Sequence, residues 1–192
     1  YLGNFCAAAG FCPVFGGTLR DSLFAGLLGL IIGFVSRQMD RRETNPFFST
    51  IVEAFAMAAP AYLAAGFHLV DYIDFVIIGT LMILVPGLLI TTSMRDIIYG
   101  DTNSGINRIV QVLLSAFAIA LGTAAAWRVT SGVYGLTVAS GSASYPAWAQ
   151  AVMIFVACTG FFILFNVHDW GSILCALGGV FTWMTYLLCR DL

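Results

Sequence analysis

Apolar runs long enough to cross a lipid bilayer follow one another along nearly the whole chain. About 20 apolar residues, rising 1.5 Å each, are needed to cross roughly 30 Å of hydrocarbon. Seven stretches approach that length, at residues 1–16, 19–36, 47–67, 72–94, 106–127, 146–166 and 170–189. Of the 192 residues, 60% are apolar and 9% are charged, far from the composition of soluble domains. We therefore expect an integral membrane protein that is embedded in the lipid bilayer.

The predicted fold class is all-α, a polytopic transmembrane helix bundle of about seven spans. Within hydrocarbon only helices and closed barrels satisfy their own backbone, and barrel strands alternate in polarity over runs of about ten residues. The apolar runs of this chain do not alternate. The net charge of −2 gives no indication of a nucleic-acid partner.

The arginines predict how the bundle sits in the membrane. Five of them fall on the side that holds the N-terminus, and three fall on the other side: Arg37, Arg41, Arg42, Arg95 and Arg108 against Arg20, Arg128 and Arg190. Because cytoplasmic loops carry the excess of positive charge, we expect a cytoplasmic N-terminus. A plasma membrane is the expected location.

The chain also resembles itself at a shift of 150 residues. Eight identities align without a gap, where two or three are expected by chance: Phe5, Ala7, Gly10, Phe11, Phe15, Ser22, Leu27 and Gly29 with Phe155, Ala157, Gly160, Phe161, Phe165, Ser172, Leu177 and Gly179. A unit of five spans is odd in number, so a second copy would enter the membrane from the opposite face. This pattern predicts an inverted-topology repeat, which is common in secondary transporters.

The repeat divides the chain into three parts. Residues 1–130 form a first five-helix module, residues 131–145 a Ser/Gly-rich linker, and residues 146–192 the first two helices of a second, truncated module. The chain does not start with methionine, so we expect a fragment or a processed product.

Pro86 and Gly87 interrupt the fourth run in its interior. Proline removes a backbone hydrogen bond at a cost of about 3 kcal/mol, and glycine eases unwinding. We expect a broken helix near mid-membrane, whose second half presents its positive N-terminal end to a small acid. Thr91, Thr92 and Ser93, one turn further on, would bind polar groups of the solute or their own backbone. The alternative is a simple proline kink.

Glu53 is the other candidate functional residue. It lies about 10 Å inside the third run, where a carboxylate must be paired, solvated or protonated. Proton coupling is one interpretation, and a Glu bound to a nearby Arg or Ser is the other. Pro60 lies two turns on and shares its helix face. We assign gating or structural roles to Pro60, Arg95, Asp96 and Asp101.

The sequence contains no catalytic motif. No Ser/His/Asp set, HExxH or phosphate loop occurs, so we expect no enzyme, no cofactor and no metal. The five cysteines lie in apolar runs without ligand spacing, and we interpret them as buried thiols.

Residues 77–127 resemble the threonine/serine exporter family. The resemblance rests on Val85-Pro86-Gly87, Arg95-Asp96, Gly100-Asp101, Ser104-Gly105 and the small-residue helix from Ile106, with FGGTLRD and NPFF upstream. In that family two five-helix modules form the transporter, preceded by a cytoplasmic domain, and in some relatives the modules are separate chains. One such pairing is associated with succinate export.

The resemblance implies proton-driven antiport that exports small amino acids, or alternatively half of a dicarboxylate exporter. It also implies a homo-oligomer or pairing with a second transmembrane module. From the residues themselves, a non-transporting membrane assembly subunit remains open, and a channel is a weaker third option because no ring of like charges is evident.

Overall fold

The fold is all-α, as predicted. The computed structural model describes residues 1–134, 141–165 and 170–190. Within these ranges lie eight helices: α1 (Leu2–Phe15), α2 (Leu19–Asp40), α3 (Pro46–Gly66), α4 (Ile73–Leu81), α5 (Gly87–Ile98), α6 (Thr102–Tyr134), α7 (Ala147–Leu164) and α8 (Trp170–Arg190).

Five helices in the described ranges are long and apolar enough to cross a membrane, namely α2, α3, α6, α7 and α8. The first expected span is the shorter apolar helix α1. The fourth expected span is two short helices, α4 and α5, because the chain unwinds ahead of Pro86. The bundle is therefore polytopic, with the irregular backbone concentrated where the sequence predicts it.

Helix α1 is the centre of the bundle and packs against α2, α4 and α7. Helices α2, α3 and α4 also pack against one another, and α6 covers α3. Among the described elements, α5 packs only against α6, and α8 packs only against α7. The buried core between α1, α2, α3 and α4 is rich in small residues, including Ala8, Ala25, Ala58 and Ala61. Such residues let helix backbones approach closely where packing replaces the hydrophobic effect.

Helices α1 and α7 are antiparallel and meet through small residues. A Cβ on Gly10 would lie 2.7 Å from the Ala157 backbone nitrogen, and one on Gly160 would collide with the backbone nitrogen of Ala7. At the end of the contact, Gly3 approaches Leu164. The two backbones are thus as close as glycine permits.

The contacts between α1 and α7 are reciprocal at a shift of 150 residues. Gly10 contacts Ala157, and Gly160 contacts Ala7. Gly160 is the counterpart of Gly10 at a shift of 150 residues, and Ala157 is the counterpart of Ala7. Phe11 meets its own counterpart, Phe161, with ring centroids 5.7 Å apart. The helices that follow, α2 after α1 and α8 after α7, repeat the pattern: Gly29 of α2 lies beside Ala8 of α1, and Gly179 of α8 lies beside Cys158 of α7.

At one end of the bundle, a buried aspartate joins two turns of the chain. Asp21 is fully buried and accepts hydrogen bonds from the backbone nitrogens of Asp71 at 2.8 Å, Tyr72 at 3.3 Å and Thr18 at 3.0 Å. Thr18 caps α2 in return through a capping box with Asp21. The α1–α2 and α3–α4 turns are therefore held together at what we call the Asp21 end. The opposite end, where α2 finishes, is the Arg37 end.

Residues 141–146 dock onto the Asp21 end. The Ala143 nitrogen donates to the Gly16 oxygen at 2.7 Å, and the Tyr145 hydroxyl donates to the Gly17 oxygen at 3.1 Å. Burial raises the pKa of the Tyr145 phenol above its ordinary value. Helix α6 continues to Tyr134, within the stretch 131–145 that the sequence predicts as a linker. Residues 135–140 of that linker lie outside the described residues.

Removing the Asp21 carboxylate should destabilise the bundle. Asp21→Ala leaves three backbone donors without their acceptor, and each buried donor left unpaired costs about 1–3 kcal/mol. We expect a clear drop in the apparent melting temperature of the detergent-solubilised protein, measured by tryptophan fluorescence. Asp74→Ala, an exposed carboxylate of the same end, is the control. Equal melting temperatures for the two variants would contradict the role of Asp21.

Adding one methyl group between α1 and α7 should also lower stability. Gly160→Ala places a Cβ against the Ala7 backbone, and overpacking of this kind costs about 1–3 kcal/mol. The matched control is Gly178→Ala on α8, where a Cβ would meet no atom of the described residues within 4 Å. In the same melting assay we expect Gly160→Ala to fall below the unaltered protein and Gly178→Ala to equal or exceed it. The reverse order would refute the α1–α7 contact.

Candidate functional site

The break that precedes α5 is centred on Pro86. Residues 82–84 continue α4 as a tight turn, with Leu84 donating to the Leu81 oxygen at 2.9 Å. Pro86 has φ −78° and ψ 60°, and the Gly87 nitrogen donates to the Val85 oxygen at 2.8 Å. This is an inverse γ-turn, a conformation that proline favours by its fixed φ. The predicted interruption of the fourth span is confirmed.

The N-terminal tip of α5 is open. Gly87 is exposed, and no atom of the described residues lies within 4 Å of where its Cβ would be. The backbone N–H groups of Leu88 and Leu89 have no hydrogen-bond partner among the described residues, and no side chain caps the helix. Unpaired N–H groups at a helix start carry partial positive charge and attract anions.

The three hydroxyls after the break donate to their own helix. Thr91 donates to the Gly87 oxygen, Thr92 to the Leu88 oxygen and Ser93 to the Ile90 oxygen, each at 2.7 Å. Consecutive residues of a helix point about 100° apart, and Thr91 is exposed while Ser93 is buried. The three side chains therefore diverge, although each oxygen keeps a lone pair that can accept a further bond.

Helix α5 lies beside the beginning of α3. Helices α3 and α6 run parallel, with Gly122 against Ala54 and the Trp127 ring 5.1 Å from that of Tyr62. In that register, residues 102–114 of α6, about 20 Å of helix, extend beyond the first turn of α3. Helix α5 packs along this extension. Its tip is therefore nearer to the Arg37 end of the membrane span than to the middle, where the run of apolar residues had placed it.

A cavity adjoins the first turn of α5. It has a volume of about 440 Å³ and lies between the start of α3, the start of α5 and the side of α6. Its lining includes Leu89 and three polar side chains, those of Asn45, Gln111 and Ser115. Pro46, Phe47 and Leu114 complete the wall. The cavity is large enough for a small organic solute and mixes apolar walls with a few polar groups, as ligand sites do.

The polar motif after α5 builds a tight helical hairpin. Gly100, at φ 92°, ends α5 in a Schellman motif. In this motif the backbone N–H of Asp101 donates to the backbone carbonyl of Asp96, and the backbone N–H of Gly100 donates to that of Ile97. The Asp101 carboxylate accepts from the Ser104 nitrogen at 3.3 Å and so caps α6. These residues account for the Gly-Asp element of the sequence.

An ion pair and a close contact hold α5 against α6. Asp96 pairs with Arg108 at 3.2 Å and with the exposed Arg95 at 3.4 Å. Gly105 lies so close to Ile97 that a Cβ would collide with its side chain. Asp96 and Asp101 therefore have structural contacts, and both belong to the hairpin rather than to the cavity lining.

Glu53 is half-buried on α3 and is paired with a hydroxyl group. The Ser49 hydroxyl donates to its carboxylate at 3.0 Å, and the side chain of Ser36 on α2 lies nearby. Asp40, at the end of α2, is close enough to repel it. No ion pair to Glu53 is found among the described residues. Pro60 follows two turns further along α3 and is half-buried.

Other residues differ from what their sequence neighbourhood suggests. The sequence predicts no functional role for Asp21, Gln111 or Ser115, the last two of which are isolated polar residues in a largely apolar stretch. Cys175 and Cys189 are exposed, which corrects the interpretation of all five cysteines as buried. Both lie on α8, which packs only against α7 among the described helices. Within the described ranges, no three His, Cys, Asp or Glu side chains are grouped so that they could hold a metal ion.

One protein family matches the chain. The family ThrE, described as "Putative threonine/serine exporter", matches residues 1–130, which include helices α1 to α5 and most of α6. No curated protein and no solved structure matches the chain.

The matched region contains the Pro86 break, the hairpin that follows it and Glu53. It covers more than half of the 192 residues, and its description agrees with the family resemblance carried by the VPG, Arg-Asp and Gly-Asp elements. The chain belongs to the threonine/serine exporter family ThrE.

Proposed function

We propose that this protein is a secondary transporter that exports small amino acids of the threonine and serine type in exchange for protons. The observation that carries the proposal is the 440 Å³ cavity beside the uncapped tip of α5. Such a helix end is suited to a carboxylate, and the cavity offers room for the rest of a small solute. The plasma membrane, with the N-terminus and the Arg37 end in the cytoplasm, is the setting we propose.

The chemistry of the site favours a small, polar acid. The unpaired N–H groups of Leu88 and Leu89 would bind its carboxylate. The turn at Pro86 leaves these groups uncapped, and Gly87 adds no side chain to the approach. Asn45, Gln111 and Ser115 supply groups for its amine or hydroxyl. Among Thr91, Thr92 and Ser93, we propose that the half-buried Thr92 is the closest to such a solute.

Glu53 is proposed as the proton carrier. Its carboxylate is half-buried and accepts a hydrogen bond from the neutral Ser49 hydroxyl, and no guanidinium of the described residues is paired with it. A carboxylate without a cationic partner can take up a proton without breaking an ion pair. Pro60, Arg95, Asp96 and Asp101 would support the shape of the site, the last two through the α5–α6 hairpin.

The reciprocal contacts of α1 and α7 support an inverted repeat. Two equivalent antiparallel helices are related by an axis perpendicular to both, which lies in the membrane plane when the helices span the membrane. The pairs Gly10–Ala157 and Gly160–Ala7 and the Phe11–Phe161 contact obey that axis. We propose that α7 and α8 begin a second module, and that transport requires a complete second module or a second copy of the chain.

Filling the cavity should stop export. In proteoliposomes with an imposed pH gradient, we expect flux of radiolabelled threonine and serine through the unaltered protein and its loss in Ser115→Trp. The indole would occupy space that the solute needs. Phe117→Trp, an exposed position of the same helix, should retain flux. Succinate is included as the competing substrate. Equal flux for both variants, with normal melting temperatures, would remove the cavity from the proposal.

Neutralising Glu53 should separate flux from the pH gradient. Glu53→Gln keeps the shape of the side chain but cannot exchange a proton. We expect exchange of threonine between the two sides to persist while uptake against a gradient, driven by pH, falls about tenfold or more. Glu43→Gln, an exposed carboxylate after α2, serves as the control. A Glu53→Gln protein that still follows the pH gradient would show that another group carries the proton.

A further inference from the structure

A second polar pocket lies at the Arg37 end, between α1 and α2. It has a volume of about 240 Å³ and is lined by Asn4, Gly33, Ser36, Arg37 and Asp40, together with Tyr1 and Leu164. None of these residues belongs to the cavity between α3, α5 and α6. The liquid volume of a water molecule is roughly 30 Å³, so the pocket suits a solute of a few non-hydrogen atoms.

Asn4 is the unusual residue of this pocket. Its side chain lies on an otherwise apolar helix and is 6% exposed, yet its Oδ1 has no hydrogen-bond partner in the part of the chain that the structure describes. A buried acceptor without a partner costs about 1–3 kcal/mol, so such groups generally have a role. Gly33 makes room for the amide, since a Cβ there would lie 2.5 Å from Asn4 Nδ2.

Two opposite charges border the same pocket. Arg37 and Asp40 are exposed and are one helical turn apart on α2. Neither has an ion-pair partner within the described residues. The Arg37 guanidinium is held over the Tyr1 ring, 5.9 Å from its centroid, which limits its freedom. The pocket therefore presents a cation, an anion and an amide within one small volume.

We infer that this pocket binds the zwitterionic head of a small α-amino acid. The guanidinium of Arg37 would pair with the carboxylate, the carboxylate of Asp40 with the ammonium, and the Asn4 amide would bond to either group. The inference rests on the proposed export of amino acids and adds a recognition site apart from the α5 tip. A dicarboxylate fits this pocket poorly, because Asp40 would repel its second charge.

Ser36 connects this pocket to Glu53. It lines the pocket and its side chain lies near the Glu53 carboxylate of α3. A solute that binds the Ser36 hydroxyl would therefore come close to Glu53. Occupation of the pocket would thereby be communicated to the proposed proton carrier through a single side chain.

The test compares charge changes in the protein with charge changes in the ligand. Binding of radiolabelled L-threonine to the purified protein is measured in nanodiscs. Two competitors are used: N-acetylthreonine, which lacks the ammonium, and threoninamide, which lacks the carboxylate. We expect threonine to bind about tenfold or more weakly to Arg37→Gln and to Asp40→Asn. Arg37→Gln should no longer discriminate against threoninamide, and Asp40→Asn should no longer discriminate against N-acetylthreonine. The controls Arg42→Gln and Glu43→Gln remove the same charges from the adjacent exposed turn and should bind threonine normally.

The outcomes separate this inference from the proposed function. If the unaltered protein exports threonine while the two variants bind it normally, the pocket assignment is wrong and export stands. If binding follows the expected pattern without any export, the pocket stands and the proposed function fails. Threonine binding that is lost only when phosphatidylethanolamine is present would mean that a lipid headgroup, with the same pair of charges, is the true occupant. That result, or no binding at all, overturns the inference.

Discussion

The backbone contact between α1 and α7 determines how the rest of the bundle is arranged. Helix α1 touches α2 and α4 on its other sides, so its position sets theirs. Lipid is as apolar as leucine, and helices in a membrane associate through close packing rather than through the hydrophobic effect. Ala7, Gly10, Ala157 and Gly160 make that packing possible, since larger side chains would hold the two backbones apart. The proposed inverted repeat has its axis at this contact.

The sequence predicted much of this fold because its strongest signals are local. The apolar run at 47–67 corresponds to α3 and that at 170–189 to α8, each within one residue at both ends. Pro86 predicted the break because the missing N–H of proline acts on its own turn of the helix. The shift of 150 residues pairs Gly29 with Gly179, and these two glycines have equivalent neighbours in the structure, Ala8 and Cys158.

The depth of the break and the contacts of its hydroxyls could not be predicted in the same way. Apolar residues continue through α5, so a count of residues placed Gly87 near mid-membrane. Yet Asp101 caps α6, whose first turns include the polar Asn107, Arg108 and Gln111. Helix α5 packs along these turns of α6. Where α5 lies thus depends on tertiary packing. The Asn4 pocket was missed for a related reason, because one Asn in an apolar run has no meaning until Gly33 and Arg37 are brought beside it.

The residues and cavities proposed to bind solute and carry protons lie at one end of the bundle. The α5 tip, the 440 Å³ cavity, Glu53 and the Asn4 pocket all lie toward the start of α3 or the end of α2. The opposite end is closed by Asp21, which uses both carboxylate oxygens to bind the α3–α4 turn, and by residues 141–146, which lie over the α1–α2 turn. Among the described residues the two ends therefore differ: polar cavities open at the Arg37 end, while hydrogen bonds join the turns at the Asp21 end. This difference supports the proposal of a transporter that faces one side of the membrane.

In the proposed export, solute that leaves at the Asp21 end requires that the bonds of Asp21 to Asp71 and Tyr72 either open or move as a unit with α4. Because a buried carboxylate is costly to leave without its donors, movement of α4 together with the Asp21 turn is the less costly of the two. The non-helical backbone at 82–86 would then be the hinge, since it joins α4 to α5, and α5 packs only against α6 among the described helices.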